Sequence, residues 1–98
     1  PKNNKTEFEH LKLMFDIRVN YLKYKMLESV YQSENYDRSK AKEFLSEIDE
    51  ILQTEKKLDK RFTFLQKGFI TDREIAHQNE IRKRKMFVLK DFLSRQVY

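Results

Sequence analysis

The sequence predicts an all-α fold, an elongated three-helix bundle whose helices run up, down and up. Its 98 residues include one Gly and one Pro, too few turn-forming residues for a sheet. Apolar residues recur at spacings of three and four along three long segments, as in helices that bury one face. Short connections make neighbouring helices antiparallel, so the bundle should resemble a coiled coil. The alternative is a helical hairpin that dimerises into a four-helix bundle.

The composition is that of a single helical domain, residues 1–98, large enough for one core. The chain has no Cys, which excludes disulfides, thiol chemistry and Cys-based zinc sites. This absence fits an intracellular protein, either cytoplasmic or nuclear. No run of apolar residues exceeds about four, so the sequence predicts no membrane span.

Helix 1 is predicted over about residues 6–33. Thr6 and Glu9 have the spacing of a capping box, in which each side chain bonds a free backbone N–H. Two apolar stripes follow on adjoining faces. The first comprises Leu11, Phe15, Val19, Leu22, Met26 and Val30. The second comprises Met14, Ile17, Tyr21, Tyr24 and Tyr31.

Helix 2 is predicted over about residues 38–66, with Asp37 or Ser39 as its N-cap. Gly68 is expected to end it in the left-handed conformation, with Phe69 touching Phe64 across the cap. A heptad seam with one acidic member runs along the helix. Its members are Phe44, Ile48, Ile51, Glu55, Leu58, Phe62 and Leu65.

Helix 3 is predicted over about residues 71–97, with Thr71 as N-cap and Glu74 completing a capping box. If the chain folds back at Gly68, residues equidistant from it become neighbours in an antiparallel pair. Arg82 to Lys90 should then lie beside residues 47–55, which are rich in acids. The sequence therefore predicts a row of ion pairs between helices 2 and 3.

The apolar perimeter of the chain exceeds what three helices can cover, because apolar residues nearly surround helix 3 between residues 86 and 93. We therefore expect a non-enzymatic protein–protein interaction or assembly module, acting as a homo-oligomer or as a subunit of a larger complex. The predicted contact face comprises Met14, Ile17, Tyr21, Tyr24, Tyr31, Phe87, Leu89 and Leu93. A second apolar patch lies at the hairpin tip and either closes the bundle or docks a partner. It comprises Phe62, Phe64, Leu65, Phe69 and Ile70.

The alternative function is sequence-tolerant nucleic-acid binding by the basic third helix. The chain has a net charge of +5, most of it in residues 67–98. Such a helix could bind phosphates by releasing counterions, although the sequence has no helix-turn-helix or zinc-finger pattern. The residues predicted for this contact are Arg82, Lys83, Arg84, Lys85, Lys90 and Arg95.

The sequence predicts neither an enzyme nor a cofactor. It lacks a Gly-rich phosphate loop and a Ser or Thr nucleophile with a convincing His–carboxylate pair. Long packed helices also seldom leave a deep pocket for a small-molecule substrate. Two Glu-x-x-His pairs, Glu7 with His10 and Glu74 with His77, have the spacing used in di-iron four-helix proteins. Both lie in first turns, where Glu is favoured anyway, so we expect solvated residues and no metal site.

Overall fold

The computed structural model describes the backbone of residues 2–97 and the side chains of residues 4–97. The protein is an elongated three-helix bundle measuring 53 × 24 × 16 Å, which confirms the predicted all-α fold. The central helix packs antiparallel against both others, giving the order up, down, up. The elements are α1 (Lys2–Tyr31), a short 3-10 helix (Arg38–Lys40), α2 (Ala41–Gln66) and α3 (Asp72–Val97).

Helix α1 begins at Lys2, about one turn earlier than predicted, so the proposed capping box at Thr6 and Glu9 is wrong. Residues 2–5 contain no Gly or Pro that would stop a helix, and the helical hydrogen bonds therefore extend through them. Thr6 consequently lies inside the helix.

The short 3-10 helix leads directly into α2. The Asp37 carboxylate accepts a hydrogen bond from the backbone N–H of Ser39 at 2.9 Å, so Asp37 caps the 3-10 helix that precedes α2 and not α2 itself. Lys40, the residue directly before α2, contributes no side-chain cap. The hydrogen bonds from Ser39 hold the pKa of the Asp37 carboxyl below its ordinary value.

The turn between α2 and α3 depends on Gly68, whose φ of 90° lies in the left-handed region that side chains disfavour. This confirms the predicted helix end. The backbone N–H of Phe69 donates to the Gln66 carbonyl at 2.9 Å and closes the turn. Phe64 and Phe69 are 81% and 79% exposed, so their rings do not close the end of the bundle by burying each other.

Thr71 caps the start of α3 as the sequence predicts, but the Glu74 carboxylate that should complete the capping box accepts a hydrogen bond from Gln78 Nε2 at 3.0 Å. The Thr71 Oγ1 accepts a hydrogen bond from the Glu74 backbone N–H at 3.1 Å, and the Thr71 carbonyl accepts one from Ile75 at 3.0 Å. Ile75 is buried, so the cap also fixes the first residue of α3 that contacts the core.

Each helix has one row of residues, or seam, that faces the other helices. Positions in each seam are alternately four and three residues apart. This is the heptad pattern of left-handed helical packing. In α2 the seam is the predicted one, and its residues from Phe44 to Leu58 are buried. In α1 it comprises Leu13, Ile17, Asn20, Tyr24, Leu27 and Tyr31, and in α3 it comprises Ile75, Asn79, Arg82, Met86, Leu89 and Leu93.

The orientation of α1 differs from the one its apolar stripes suggest. The first predicted stripe lies on the outside of the bundle, and the buried face instead contains Leu13, Asn20 and Leu27, which belong to neither stripe. The first stripe is apolar at every position and therefore favours the wrong face, whereas the buried seam contains the polar residue Asn20. Packing against α2 and α3 decides the rotation of the helix.

Over the described residues, none of the three helices contains a segment long and apolar enough to cross a bilayer.

Candidate protein-interaction surfaces

Helix α1 carries an apolar ridge on the face that points away from the bundle. Its spacings are three, four and four, repeated twice, so it keeps its position on the helix for two 11-residue periods. Six of its side chains are 41% to 71% exposed, and Val19 is partly buried. We call this surface the α1 ridge; it comprises Phe8, Leu11, Phe15, Val19, Leu22, Met26 and Val30.

Basic residues border the α1 ridge. At about 100° of rotation per residue, Lys5, Lys12, Lys23 and Arg18 lie within about 75° of the ridge axis. All four are exposed, and none of the three lysines forms an ion pair with the side chains of residues 4–97.

The four acids of α1 lie outside this border, about 90° or more from the ridge axis, and two of them, Glu7 and Glu9, are exposed near the start of the helix. Asp16 is held by Arg61 of α2, with Nη1 and Oδ2 2.7 Å apart, and Glu28 binds Lys25 at 2.8 Å. Lys25 keeps the pKa of the Glu28 carboxyl below its ordinary value, with help from the hydroxyl of Tyr24. The apolar ridge therefore has a positive margin.

A second apolar surface is the groove between α1 and α3. Its central part has a volume of about 530 Å³ and its narrower continuation about 190 Å³. Tyr24 and Lys85 line both parts, so the groove is continuous along the two parallel helices. Its exposed or half-buried apolar walls are Met14, Ile17 and Tyr21 from α1 and Ile81, Val88 and Phe92 from α3.

A buried polar layer crosses the core below this groove, with one seam residue from each helix: Asn20, Glu55 and Arg82. The Asn20 amide donates to the Ile51 carbonyl at 3.1 Å and also bonds the Glu55 carboxylate. Glu55 is 1% exposed, and its Oε2 has no hydrogen-bond partner within the described part of the chain. The guanidinium of Arg82 provides the attractive charge nearby.

Arg82 is fixed by several contacts at once. Its Nη2 donates to Asp59 at 2.9 Å and to Asn79 at 2.5 Å, and its guanidinium lies 4.7 Å from the centre of the Phe62 ring. These contacts offset part of the cost of burying a cation that points inward from α3, although the Arg82 Nε has no hydrogen-bond partner within the described residues.

Burial raises the pKa of the Glu55 carboxyl above its ordinary value of 4.5, because desolvation outweighs the attraction of Arg82. The folded protein therefore binds a proton at Glu55 more readily than the unfolded chain does. The stability contributed by this proton is fully present below the unfolded pKa and is lost as pH rises through the folded pKa.

Replacing Glu55 by Gln is expected to remove this loss. Between the unfolded pKa and the raised folded pKa, the free energy of unfolding of Glu55→Gln should rise relative to wild type by about 1.4 kcal/mol per pH unit. Denaturant titrations at several pH values measure the difference in free energy of unfolding between the variant and wild type. Asp37 and Glu28, whose lowered pKa values act in the opposite direction, are present in both proteins and so drop out of this difference. A difference independent of pH would contradict the raised pKa.

The structure divides the predicted contact face. Tyr24, Leu89 and Leu93 are buried inside this chain, so they do not belong to an exposed contact surface. Tyr24 belongs to the second apolar stripe of α1 but lies in the buried seam, and Leu89 and Leu93 lie on the face of α3 that packs into the same core cluster. Of the others, Met14, Tyr21 and Phe87 are exposed, and Ile17 and Tyr31 are half-buried.

The predicted ion pairs between α2 and α3 are confirmed. Arg82 and Lys83 both bind Asp59, and Lys90 binds Asp49 at 2.8 Å. The partner of Arg82 lies about one helical turn further along α2 than the predicted range of residues 47–55. Residues 67–71 form the turn, so its centre falls after Gly68 and shifts the pairing.

The predicted nucleic-acid residues are therefore largely engaged within the chain. Besides the three that bind α2, Arg84 and Arg95 pair with acids one turn earlier on α3, at 3.1 and 2.9 Å. Lys85 alone among the six has no ion pair within the described residues, and it lies in the α1–α3 groove beside Glu28.

Both Glu-x-x-His pairs lie on exposed surface. His10 and Glu7 line an apolar hollow between α1 and the α2–α3 turn, whereas His77 and Glu74 lie at the start of α3. Among the described residues, no group of three His, Asp or Glu side chains could hold a metal ion.

Comparison of the chain with protein-family models, with curated proteins and with solved structures found no match.

Proposed function

We propose that this protein is a non-enzymatic interaction module that binds another protein through the α1 ridge. The observation that supports the proposal is the ridge itself: a continuous apolar surface on the face of α1 that points away from the bundle. Scattered exposed apolar residues are ordinary on soluble proteins, but a regular row over most of a 30-residue helix is typical of a contact surface.

The ridge is also large enough to support association. Covering six half-exposed Phe, Leu, Met and Val side chains would contribute roughly 6 kcal/mol, counting about 2 kcal/mol for complete burial of each. Such a gain offsets a substantial part of the entropy lost when two molecules associate. The adjoining groove, with Met14 and Tyr21 from the predicted contact face, would extend the interface.

A photocrosslinking amino acid tests this proposal in cells that express the protein. Placed at Met26 on the ridge, it should yield a discrete adduct, whereas at Gln53, on the exposed face of α2, it should yield none. The Met26 adduct should also disappear when Phe15 and Leu22 are both replaced by Ser. Circular dichroism must show that all variants remain folded. Equal labelling from Met26 and Gln53 would contradict the proposal.

Nucleic-acid binding through α3 is the alternative proposal and has less support. Five of its six basic residues are already in ion pairs, two of them shared with the partly buried Asp59. Phosphates would have to compete with these carboxylates.

A further inference from the structure

We infer that the occupant of the α1 ridge is a helix of a different protein, with an apolar seam bordered by acidic residues. This inference rests on the proposed function and specifies its partner. Three observations support it: the period of the ridge, the sign of its border and the poor fit of a second copy.

The period of the ridge favours a helical partner. Seven residues from Phe8 to Val30 follow the 3-4-4 spacing through two complete 11-residue repeats, an average of about 3.67 residues per turn. A row with this period stays on one line along a nearly straight helix, so one rod-like partner can contact all of it. A lipid bilayer would require only an apolar arc and no regular repeat.

The border of the ridge favours an acidic partner. Lys5, Lys12 and Lys23 follow one side of the ridge, and Arg18 lies on the other. The stems of these side chains can cover the edge of an apolar contact while their charges meet carboxylates on the partner. Helices that pair through an apolar seam use such flanking charges to select partners.

A second copy of this chain fits the ridge poorly. Two ridges packed against each other, parallel or antiparallel, would bring the lysines of both copies to the same interface. The four acids of α1 offer little compensation across the ridge, because all of them lie about 90° or more from its axis. Two of these acids, Asp16 and Glu28, are also paired within the chain already. Like charges without partners disfavour association, so the charge pattern selects a different, acidic helix.

Two synthetic helical peptides test the inference with the intact protein. Both carry leucines at the 3-4-4 spacing of the ridge, but one has Glu at the flanking positions and the other has Lys. The Glu peptide should bind roughly tenfold more tightly at low salt, because several exposed charge pairs each contribute a small gain. Raising the salt concentration should shrink this ratio, which fluorescence anisotropy measures directly.

Matched variants locate the binding site. Leu22→Ser should weaken binding of the Glu peptide, whereas Gln53→Ser on the exposed face of α2 should not. Replacing Lys12 and Lys23 by Gln should remove most of the preference for Glu over Lys without unfolding the protein.

Three outcomes would overturn the inference. They are equal affinity for the two peptides, binding of phosphatidylserine vesicles in place of either peptide, and concentration-dependent self-association by sedimentation that Leu22→Ser abolishes. The photocrosslinking result distinguishes a failure of this inference from a failure of the proposed function. An adduct specific to the ridge, together with equal affinity for the two peptides, would support the interaction module and contradict the acidic helix as its partner.

Discussion

Leu13→Ala is expected to lower the free energy of unfolding by about 3 kcal/mol, whereas Leu11→Ala should change it by less than about 0.5 kcal/mol. The two leucines are two positions apart on α1, and they are 0% and 68% exposed. Truncating Leu13 removes buried apolar surface and leaves a cavity between the helices. Truncating Leu11 removes a side chain that already contacts water, so only helix propensity changes, in favour of Ala.

Urea titrations of the two variants and the wild type measure this difference. For a chain of this length, a loss of 3 kcal/mol corresponds to a fall in melting temperature of roughly 12–20 °C. Leu27→Ala and Met26→Ala provide a second matched pair, since these adjacent residues are 8% and 71% exposed. If the exposed residue of either pair were the one whose truncation costs more stability, α1 would have to be rotated about its axis, with the α1 ridge inside the bundle.

The sequence was sufficient to predict the helices and the seam of α2. Local signals mark these features: Gly68 ends α2, Thr71 caps α3, and the apolar residues of α2 follow one heptad row from Phe44 to Leu65. Each signal depends on residues a few positions apart, so it can be interpreted without knowing what packs against the helix.

The rotation of α1 could not be deduced with the same ease, because the helix has apolar residues on opposite faces. The difference between the faces lies in their periods. The buried row from Leu13 to Tyr31 alternates spacings of four and three, like the seams of α2 and α3, whereas the α1 ridge follows 3-4-4. Matching the period across all three helices would have identified the buried face, despite the polar Asn20 within it.

The same comparison explains why the polar layer escapes a search for apolar residues. Asn20, Glu55 and Arg82 each interrupt a heptad row, so each weakens the signal of its own helix. They lie together in the core, which becomes visible only when the helices are aligned, and Glu55 Oε2 and Arg82 Nε have no hydrogen-bond partner within the described residues. A polar residue in each seam can fix the register of a bundle, because any slip by one turn would bury it against apolar residues.

Removal of Arg82 should therefore be more harmful than removal of its neighbour Arg84. Arg82→Ala is expected to lower the free energy of unfolding by about 3 kcal/mol, because Glu55 loses its nearby cation and Asp59 loses one of two partners. Arg84 is exposed and pairs only with Glu80, so Arg84→Ala should cost less than about 0.5 kcal/mol. Chemical denaturation of both variants at neutral pH gives the comparison.

A combined substitution distinguishes charge compensation from loss of packing. Arg82→Met keeps most of the side-chain volume, and with Glu55→Leu added no uncompensated charge remains in the core, so the double variant should regain most of the stability lost in Arg82→Met alone. If the two changes were simply additive, the stability of this core would depend on the shape of the Arg82 side chain and not on its charge. A regained stability accompanied by a change in helix register or oligomeric state would instead show that the polar layer specifies the arrangement of the bundle more than it stabilises it.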